Sequence, residues 1–284
     1  MPEVESLALF LTERCVGKSI ARIDLANFSA LKTYDPPLSA LHGLEIESVS
    51  RRGKFIDISA GGLHLVFHLA RAGWLRWTGE LPSTPVRPGK SPLALRVRLD
   101  DDSGFDLTEA GTQRKLAIHV VIDPMSIPHV ATLGPDPLAD AFTESVLGEL
   151  LGTNGRAQIK GVLKNQRVIA GIGNAYSDEI LHAARLSPFK PANSLSPEEL
   201  HQLYTALKEE LADAVARSAG LAAKDLKSEK KSGMRVHGKV GQICAVCGDT
   251  IAEVSFADSA LQYCPTCQTG GKKLADRRLS RLLK

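Results

Sequence analysis

The sequence predicts an α+β protein with an N-terminal antiparallel β-sandwich, a helical domain and a small C-terminal metal-binding module. Three observations predict this arrangement. Short segments of alternating apolar and polar residues fill the chain up to about residue 124. After that point the apolar residues recur at the spacing of a helix. Two C-x2-C pairs stand near the end of the chain. No apolar run approaches the roughly 20 residues that a membrane span needs, so we expect no membrane association.

The first part begins with a short helix over residues 3–14, in which Leu7, Leu9, Phe10 and Leu11 stand at near-helical spacing. Segments such as IESVSRRGKFIDISA, LHLVFHLA and LALRVRLD then alternate and are separated by turn-forming residues. Six or more short strands of this kind predict an antiparallel sandwich or barrel. We therefore assign residues 1–124 to a β-sandwich domain with an N-terminal helix.

The second part, residues 125–238, is predicted to be helical. The stretch RAQIKGVLKNQRVIAGIGNAYSDEILHAA indicates helix, glycine-rich turn and helix at about 157–186. Gly171 and Gly173 allow positive φ, and Asn174 stands where it can cap the second helix. Phosphate oxygens bind well at such helix starts, but an ordinary helical hairpin has the same pattern, so both interpretations stay open at this point.

The third part, residues 239–284, contains four of the five cysteines, Cys244, Cys247, Cys264 and Cys267. Two C-x2-C pairs at this separation can aim four thiolates at one tetrahedral Zn²⁺, and the alternative is a pair of disulfides. The sequence shows no export signal, which favours one structural zinc ion and a cytoplasmic location. Such a site is closed, so we expect no catalytic role for the metal.

Positive charge is concentrated toward the C-terminus, although the net charge of the whole chain is only +3. Residues 224–239 contain six lysines and arginines against two acidic residues, and the tail adds more. A basic segment of this kind suits a polyanion such as nucleic acid. A solvated surface without a partner is an equally good interpretation of charge alone.

The order of the motifs PEVE, RRGKF, HLARAGWLR, IKGVLKNQ, AGIGNAYSDEIL, VHG and YCPTCQ resembles the formamidopyrimidine-DNA glycosylase / endonuclease VIII family over essentially the whole chain. The resemblance implies a β-sandwich, a helix–two-turn–helix domain and a zinc finger, with damaged double-stranded DNA as partner. It also implies base-excision repair by a monomeric glycosylase that is an AP lyase as well. A non-catalytic binder of damaged DNA or abasic sites is the alternative, and an RNA-binding zinc-ribbon protein is a weaker one.

The resemblance implies catalytic roles for three residues. Pro2, once Met1 is removed, would attack C1′ of the damaged nucleotide, because a terminal amine has a pKa near about 8. Glu3 would act as acid and base on the sugar. Lys54 matches the lysine that approaches the lesion and its phosphates.

The resemblance also implies a set of DNA contacts. The candidates are Arg51, Arg52, Arg71, Gln113, Arg114, Lys160 and Asn174. His68 is expected to be structural.

Three departures from the family pattern affect these expectations. Arg71 stands where an apolar wedge is usual, which predicts a changed opposite-base preference. Ser259 stands where the zinc finger usually carries a phosphate-clamping arginine, unless Lys272 or Gln262 substitutes. The chain has one Pro-Glu pair where two are usual, and the register of the first helix favours a working pair just upstream of Met1 over Pro2 itself.

Overall fold

A computed structural model describes residues 1–86, 89, 91–111, 114–256 and 259–275. The chain forms two compact units. The sheet unit contains the described residues of Glu3–Thr132 together with Ser218–Lys227, and the helical unit contains Met1–Pro2, Leu133–Arg217 and the described residues from Ser228 onward. This division differs from the three predicted parts, because the cysteine module belongs to the helical unit and a ten-residue segment after the longest helix belongs to the sheet unit.

The described residues contain eight α-helices and ten β-strands. The helices are Pro2–Cys15 (α1), Pro128–Ala131 (α2), Glu144–Thr153 (α3), Ile159–Lys164 (α4), Asn174–Ala183 (α5), Pro197–Ser218 (α6), Leu226–Gly233 (α7) and Pro265–Thr269 (α8). The strands are Ile20–Leu25 (β1), Ile46–Arg52 (β2), Phe55–Ala60 (β3), Leu63–His68 (β4), Gly73–Thr78 (β5), Leu93–Leu99 (β6), Gly104–Glu109 (β7), Ala117–Val121 (β8), Ala252–Ser255 (β9) and Ala260–Tyr263 (β10). None of these helices is both long enough and apolar enough to cross a membrane.

The sheet unit is built from two four-stranded antiparallel sheets with strand orders β1-β6-β7-β5 and β2-β3-β4-β8. Ile56 and Ile58 of β3 point to the same side of their strand and lie in the same core as Val97 of β6 and Phe105 of β7. This confirms the predicted α+β class with an antiparallel β-sandwich at its start.

Helix α1 packs on the core of the sheet unit. Leu7, Leu11 and Cys15 recur every four residues and are fully buried, and Phe10 meets the ring of Trp77 edge-on at 5.9 Å. The first turn contains Pro2, Glu3 and no basic residue, which suits the start of a helix.

The helical unit surrounds its own core, to which α6 contributes Leu203, Leu207 and Leu211. Ser196 begins α6 with a capping box: its Oγ accepts from the Glu199 backbone N–H at 3.2 Å, and the Glu199 carboxylate accepts from the Ser196 N–H at 2.9 Å. The two strands β9 and β10 pair as an antiparallel ribbon, which carries the cysteine module.

Candidate nucleic-acid interface and metal centre

The four cysteines of the C-terminal module converge on one point. Their Sγ atoms all lie within 4.8 Å of one another. The Cys244–Cys267 sulfurs are 3.9 Å apart and the Cys247–Cys264 sulfurs 3.3 Å, far longer than a disulfide bond of about 2.05 Å. Zn–S bonds of about 2.3 Å in a tetrahedron put sulfurs about 3.8 Å apart, so the four side chains fit one Zn²⁺.

Helix α5 contacts this centre directly through His182. Its Nε2 lies 3.4 Å from the Sγ of Cys244, and both residues are buried. Burial lowers the pKa of His182, so the ring is neutral and Nε2–H can donate to the sulfur. The His182 Nδ1 atom has no hydrogen-bond partner among the described residues. This contact was not predicted, because nothing in the spacing of the cysteines indicates a histidine in a distant helix.

Two neighbouring carboxylates of α5 bind the VHG segment, residues 236–238, which precedes the first cysteine pair in the chain. Glu179 accepts from the backbone N–H groups of Arg235, Val236 and His237 at 2.7–3.0 Å. Asp178 accepts from the His237 ring at 2.8 Å. Both carboxylates are almost fully buried, so the cysteine module is fixed to α5 by charge-assisted hydrogen bonds.

Lys160, a predicted DNA contact, belongs to this buried network, and its role toward DNA stays a prediction. Its Nζ reaches Asp178 Oδ1 at 2.5 Å, Ser177 Oγ at 2.8 Å and the Asn174 carbonyl at 3.2 Å. Burial lowers the pKa of Lys160 to about 8 despite the nearby Asp178. Lys160 is 6% exposed, and its ammonium has three hydrogen-bond partners within the helical unit.

The turn between α4 and α5 is organised by Gln166. Its amide donates to the carbonyls of Lys164 and Ile172 at 2.9 and 2.7 Å and accepts from the Gly171 N–H at 2.9 Å. Gly171 has φ +85, a backbone conformation that residues with a Cβ rarely adopt, and the Met1 side chain packs directly against it. The helix–turn–helix is therefore a rigid unit, and Gln166 is a residue that sequence reasoning missed.

Asn174 is the first residue of α5 and not its cap, which corrects the prediction: Gly173 is the N-cap residue, and no described side chain caps this helix. The Asn174 Nδ2 donates to the Ala260 carbonyl of β10 at 2.7 Å, and its Oδ1 has no partner among the described residues. Asn174 therefore holds the ribbon against the helix start. Its role as a DNA contact stays a prediction.

A cavity of about 330 Å³ opens beside Asn174. Its described lining includes Gln158, Lys164 and Ser259, the residue that stands at the position of the expected arginine. The site thus lies between α4, the start of α5 and the ribbon, all within the helical unit.

In the sheet unit, Arg51 is placed differently from the prediction. Its side chain is 5% exposed and forms an ion pair with Glu5 of α1. Its NH1 donates to the Gly53 carbonyl at 3.0 Å. Arg51 therefore connects α1 to the β2–β3 turn that contains Lys54, and its buried side chain has little surface left for a DNA contact.

Arg52 is partly exposed but has an internal partner. Its Nε donates to Asp57 Oδ2 at 2.8 Å, while the ring of His64 contacts the other Asp57 oxygen at 2.7 Å. The Asp57 carboxylate is buried and thereby anchors both side chains on one side of the second sheet. A DNA contact by the exposed part of Arg52 stays a prediction.

His68, expected to be structural, faces the lysine turn. Burial and the charge of Lys54 lower the pKa of His68 to about 4, so the ring is neutral at pH 7. Its Nδ1 accepts from the Ala70 N–H at 3.0 Å, which leaves the proton on Nε2. His68 thus offers a donor near the Lys54 ammonium.

Arg71 is exposed in the β4–β5 turn, as a residue that inserts into DNA would have to be. The turn is tight: Ala70 has φ +54, and a Cβ on Gly73 would stand 2.1 Å from the Leu69 carbonyl oxygen. Arg71 is therefore presented by a stiff turn. Its wedge role stays a prediction.

Arg114 is exposed in the loop before β8, and Gln113 lies outside the described residues. The base of this loop is closed by Glu109, whose Oε1 accepts from the N–H groups of Lys115 and Leu116 at 2.7 and 3.0 Å. Glu109 is buried, and sequence reasoning did not single it out.

Pro2 and Glu3 form the first turn of α1 and are both buried. Met1 is also buried and packs in the core of the helical unit. The Pro-Glu pair thus stands at the start of a helix, and its catalytic role stays a prediction.

Three family models match consecutive parts of the chain. The formamidopyrimidine-DNA glycosylase N-terminal domain matches residues 1–117, the H2TH domain of the same enzymes matches 133–225, and a zinc finger found in FPG and IleRS matches 241–270. Together with the converging cysteines, the last match confirms the prediction of one structural zinc ion.

Named relatives and solved structures agree with these family matches. A formamidopyrimidine-DNA glycosylase of Symbiobacterium thermophilum is 34% identical over 98% of this chain and 92% of its own length. An uncharacterized formamidopyrimidine-DNA glycosylase-like protein of Mycobacterium tuberculosis is 59% identical over 55% of this chain and 98% of its own. The Lactococcus lactis Fpg in complex with DNA containing an abasic site has a TM-score of 0.82 and 26% identity, covering 95% of this chain and 99% of that one.

A sheet unit, a helix–two-turn–helix and a four-cysteine finger define a zinc-finger protein of the helix–two-turn–helix class. The matches along the whole chain then make the assignment specific. The chain belongs to the formamidopyrimidine-DNA glycosylase family, which confirms the resemblance in the motif order.

Proposed function

We propose that the chain is a base-excision-repair glycosylase and AP lyase that removes oxidised or ring-opened bases from double-stranded DNA. The observation that carries the proposal is the connection made by Arg51. It binds Glu5, two residues after Glu3, and the Gly53 carbonyl, one residue before Lys54. Glu5 of α1 and the lysine turn are thereby fixed to each other within the sheet unit.

The proposed reaction starts with the amine of an N-terminal proline. It attacks C1′, the bond from C1′ to the base breaks, and the electron pair leaves with the base, which takes up the proton that the proline nitrogen loses. The sugar ring opens as Glu3 protonates O4′, which leaves an iminium between the proline nitrogen and C1′. The iminium acidifies C2′–H, and loss of that proton expels the 3′ phosphate and cuts the strand.

The remaining residues would bind the strand and the extruded nucleotide. Lys54 and the neutral Nε2–H of His68 would contact phosphate near the lesion, and Arg71 would fill the gap that the extruded base leaves. Damaged DNA as partner is supported by the Lactococcus lactis complex with an abasic site. Zinc would stabilise the finger and take no part in the reaction.

Borohydride trapping on a duplex with one abasic site tests the proposal, because reduction of the iminium fixes protein to DNA. Three chains should be compared: one that starts at Pro2, one that retains Met1, and one extended by Met-Pro-Glu before Met1. An adduct with the first but not the second assigns the amine to Pro2, and an adduct with the extended chain alone assigns it to the added proline. Binding of the duplex without any adduct in all three chains would refute the enzyme and support the non-catalytic alternative.

Two lysine variants test the site. Lys54→Gln should slow adduct formation, because it removes the ammonium beside the lesion. Lys32→Gln is the matched control, since Lys32 is an exposed lysine of the same unit whose Nζ donates to the Ser29 carbonyl. Equal slowing by both would contradict a specific role for Lys54.

A further inference from the structure

The cavity beside Asn174 has an uneven charge. Two of its described lining residues, Lys160 and Lys164, carry ammonium groups, and Gln158, Asn174 and Ser259 add amides and a hydroxyl. None of the described lining residues carries a carboxylate. A partly enclosed space with this lining attracts an anion.

Only one of the two ammonium groups is available to a ligand. Lys160 is neutralised by its ion pair with Asp178 and is buried. Lys164, in the last turn of α4, is half-buried and makes no ion pair or side-chain hydrogen bond with any described residue. Its charge is close enough to oppose protonation of Lys160. The positive charge of the cavity is therefore that of Lys164.

The rest of the lining suits a nucleic-acid backbone better than a free inorganic ion. Phe256 and Leu261 contribute apolar surface beside the polar groups. Phe256 is itself packed against Phe189, with ring centroids 6.5 Å apart. A phosphodiester with its attached sugar presents charge and apolar surface together, as this cavity requires.

We infer that Lys164 binds a backbone phosphate of the DNA strand in this cavity, in the place left open by Ser259. The inference rests on the proposed function, since it assumes a DNA partner. The two substitutes suggested by the sequence do not fill the place. Gln262 is buried and donates to Glu253 at 2.6 Å, and neither it nor Lys272 is among the described lining residues.

The test is binding of the full, zinc-loaded chain to a duplex with a stable abasic-site analogue, measured by fluorescence anisotropy across a salt series. Each phosphate contact contributes about 0.9 to the slope of log K against log salt. Lys164→Gln should therefore reduce the slope by about 0.9 and weaken binding about eightfold at about 0.1 M salt. Lys164→Arg should retain both values.

Two further variants make the result specific. Arg167→Gln removes an equal charge three residues further along the chain. The Arg167 side chain is exposed and does not line the cavity, so the slope should change by much less. Adding Ser259→Arg to Lys164→Gln should restore binding, whereas Ser259→Arg alone should add little, because Lys164 already supplies a cation.

The outcomes separate the inference from the proposed function. The native chain could bind tightly while Lys164→Gln and Arg167→Gln give the same slope and affinity as each other. That result would overturn the role of Lys164 and leave the proposed function intact. No binding by the native chain to damaged duplex would overturn both. Circular dichroism of each variant excludes loss of folding as the cause.

Discussion

Replacing Lys160 by methionine distinguishes a buried structural residue from a DNA contact. The change removes the ammonium and leaves the Asp178 carboxylate, 1% exposed, with the ring of His237 as its remaining side-chain partner at 2.8 Å. Removing one member of a buried ion pair costs about 3–5 kcal/mol. Because His237 still binds Asp178, we expect the lower end, a loss of about 3 kcal/mol in the free energy of unfolding of the helical unit.

The two units can be followed separately in one denaturation experiment. Both tryptophans, Trp74 and Trp77, lie in the sheet unit, so their fluorescence reports that unit. Far-ultraviolet circular dichroism is dominated by the long helices, which belong mainly to the helical unit. We expect Lys160→Met to move the circular dichroism transition to lower denaturant and to leave the fluorescence transition nearly unchanged.

Two controls accompany this variant. Lys160→Met with Asp178→Asn removes both charges and should recover most of the lost stability, because no unpaired carboxylate stays buried. Lys190→Met breaks the pair with Glu199, in which both side chains are more than one quarter exposed, and should cost at most about 1 kcal/mol. A Lys160→Met chain of native stability, with a DNA-binding salt slope reduced by about 0.9, would refute the buried role and restore the phosphate contact.

Three further results are expected. His182→Phe removes the donor to the Cys244 sulfur, so a chelator should extract zinc several times faster than from the native chain, and an unchanged extraction rate would exclude that hydrogen bond. The pKa of His68 is lowered from 6.5 to about 4, so the unfolded state binds more protons between these values and the free energy of unfolding rises with pH across that window. The native chain should therefore lose more stability than His68→Gln when the pH falls from 6.5 to 4, as measured by urea titration, and parallel curves would contradict the lowered pKa. Arg51→Met should slow borohydride trapping and be matched by Glu5→Gln, because both break the same link between α1 and the lysine turn, and native rates in both would remove the support for the proposed site.

The sequence predicted well the features whose determinants are close together in the chain. The two C-x2-C pairs define a zinc site through local turns. The strands of the sheet unit follow from a period of two along each segment. These features need no knowledge of distant partners.

The sequence did not predict which basic side chains are exposed. Arg51 pairs with Glu5 across 46 positions of the chain, and Lys160 pairs with Asp178 across 18. A motif shows that a basic residue stands at a position, but only the fold brings a carboxylate to it. The cavity of Lys164 escaped prediction for the same reason, because three separate elements form it.

The segment Ser218–Lys227 has a consequence for how the chain can be divided. Its Ala223 and Leu226 complete the core of the sheet unit, and the indole N–H of Trp74 donates to the Ala223 carbonyl at 3.0 Å. A gene fragment that stops after Thr132 therefore encodes a sheet unit with a hole in its interior and an indole without its acceptor. The boundary between the two units is therefore not a single point in the sequence, and a cut that keeps the sheet unit whole must also carry residues 218–227.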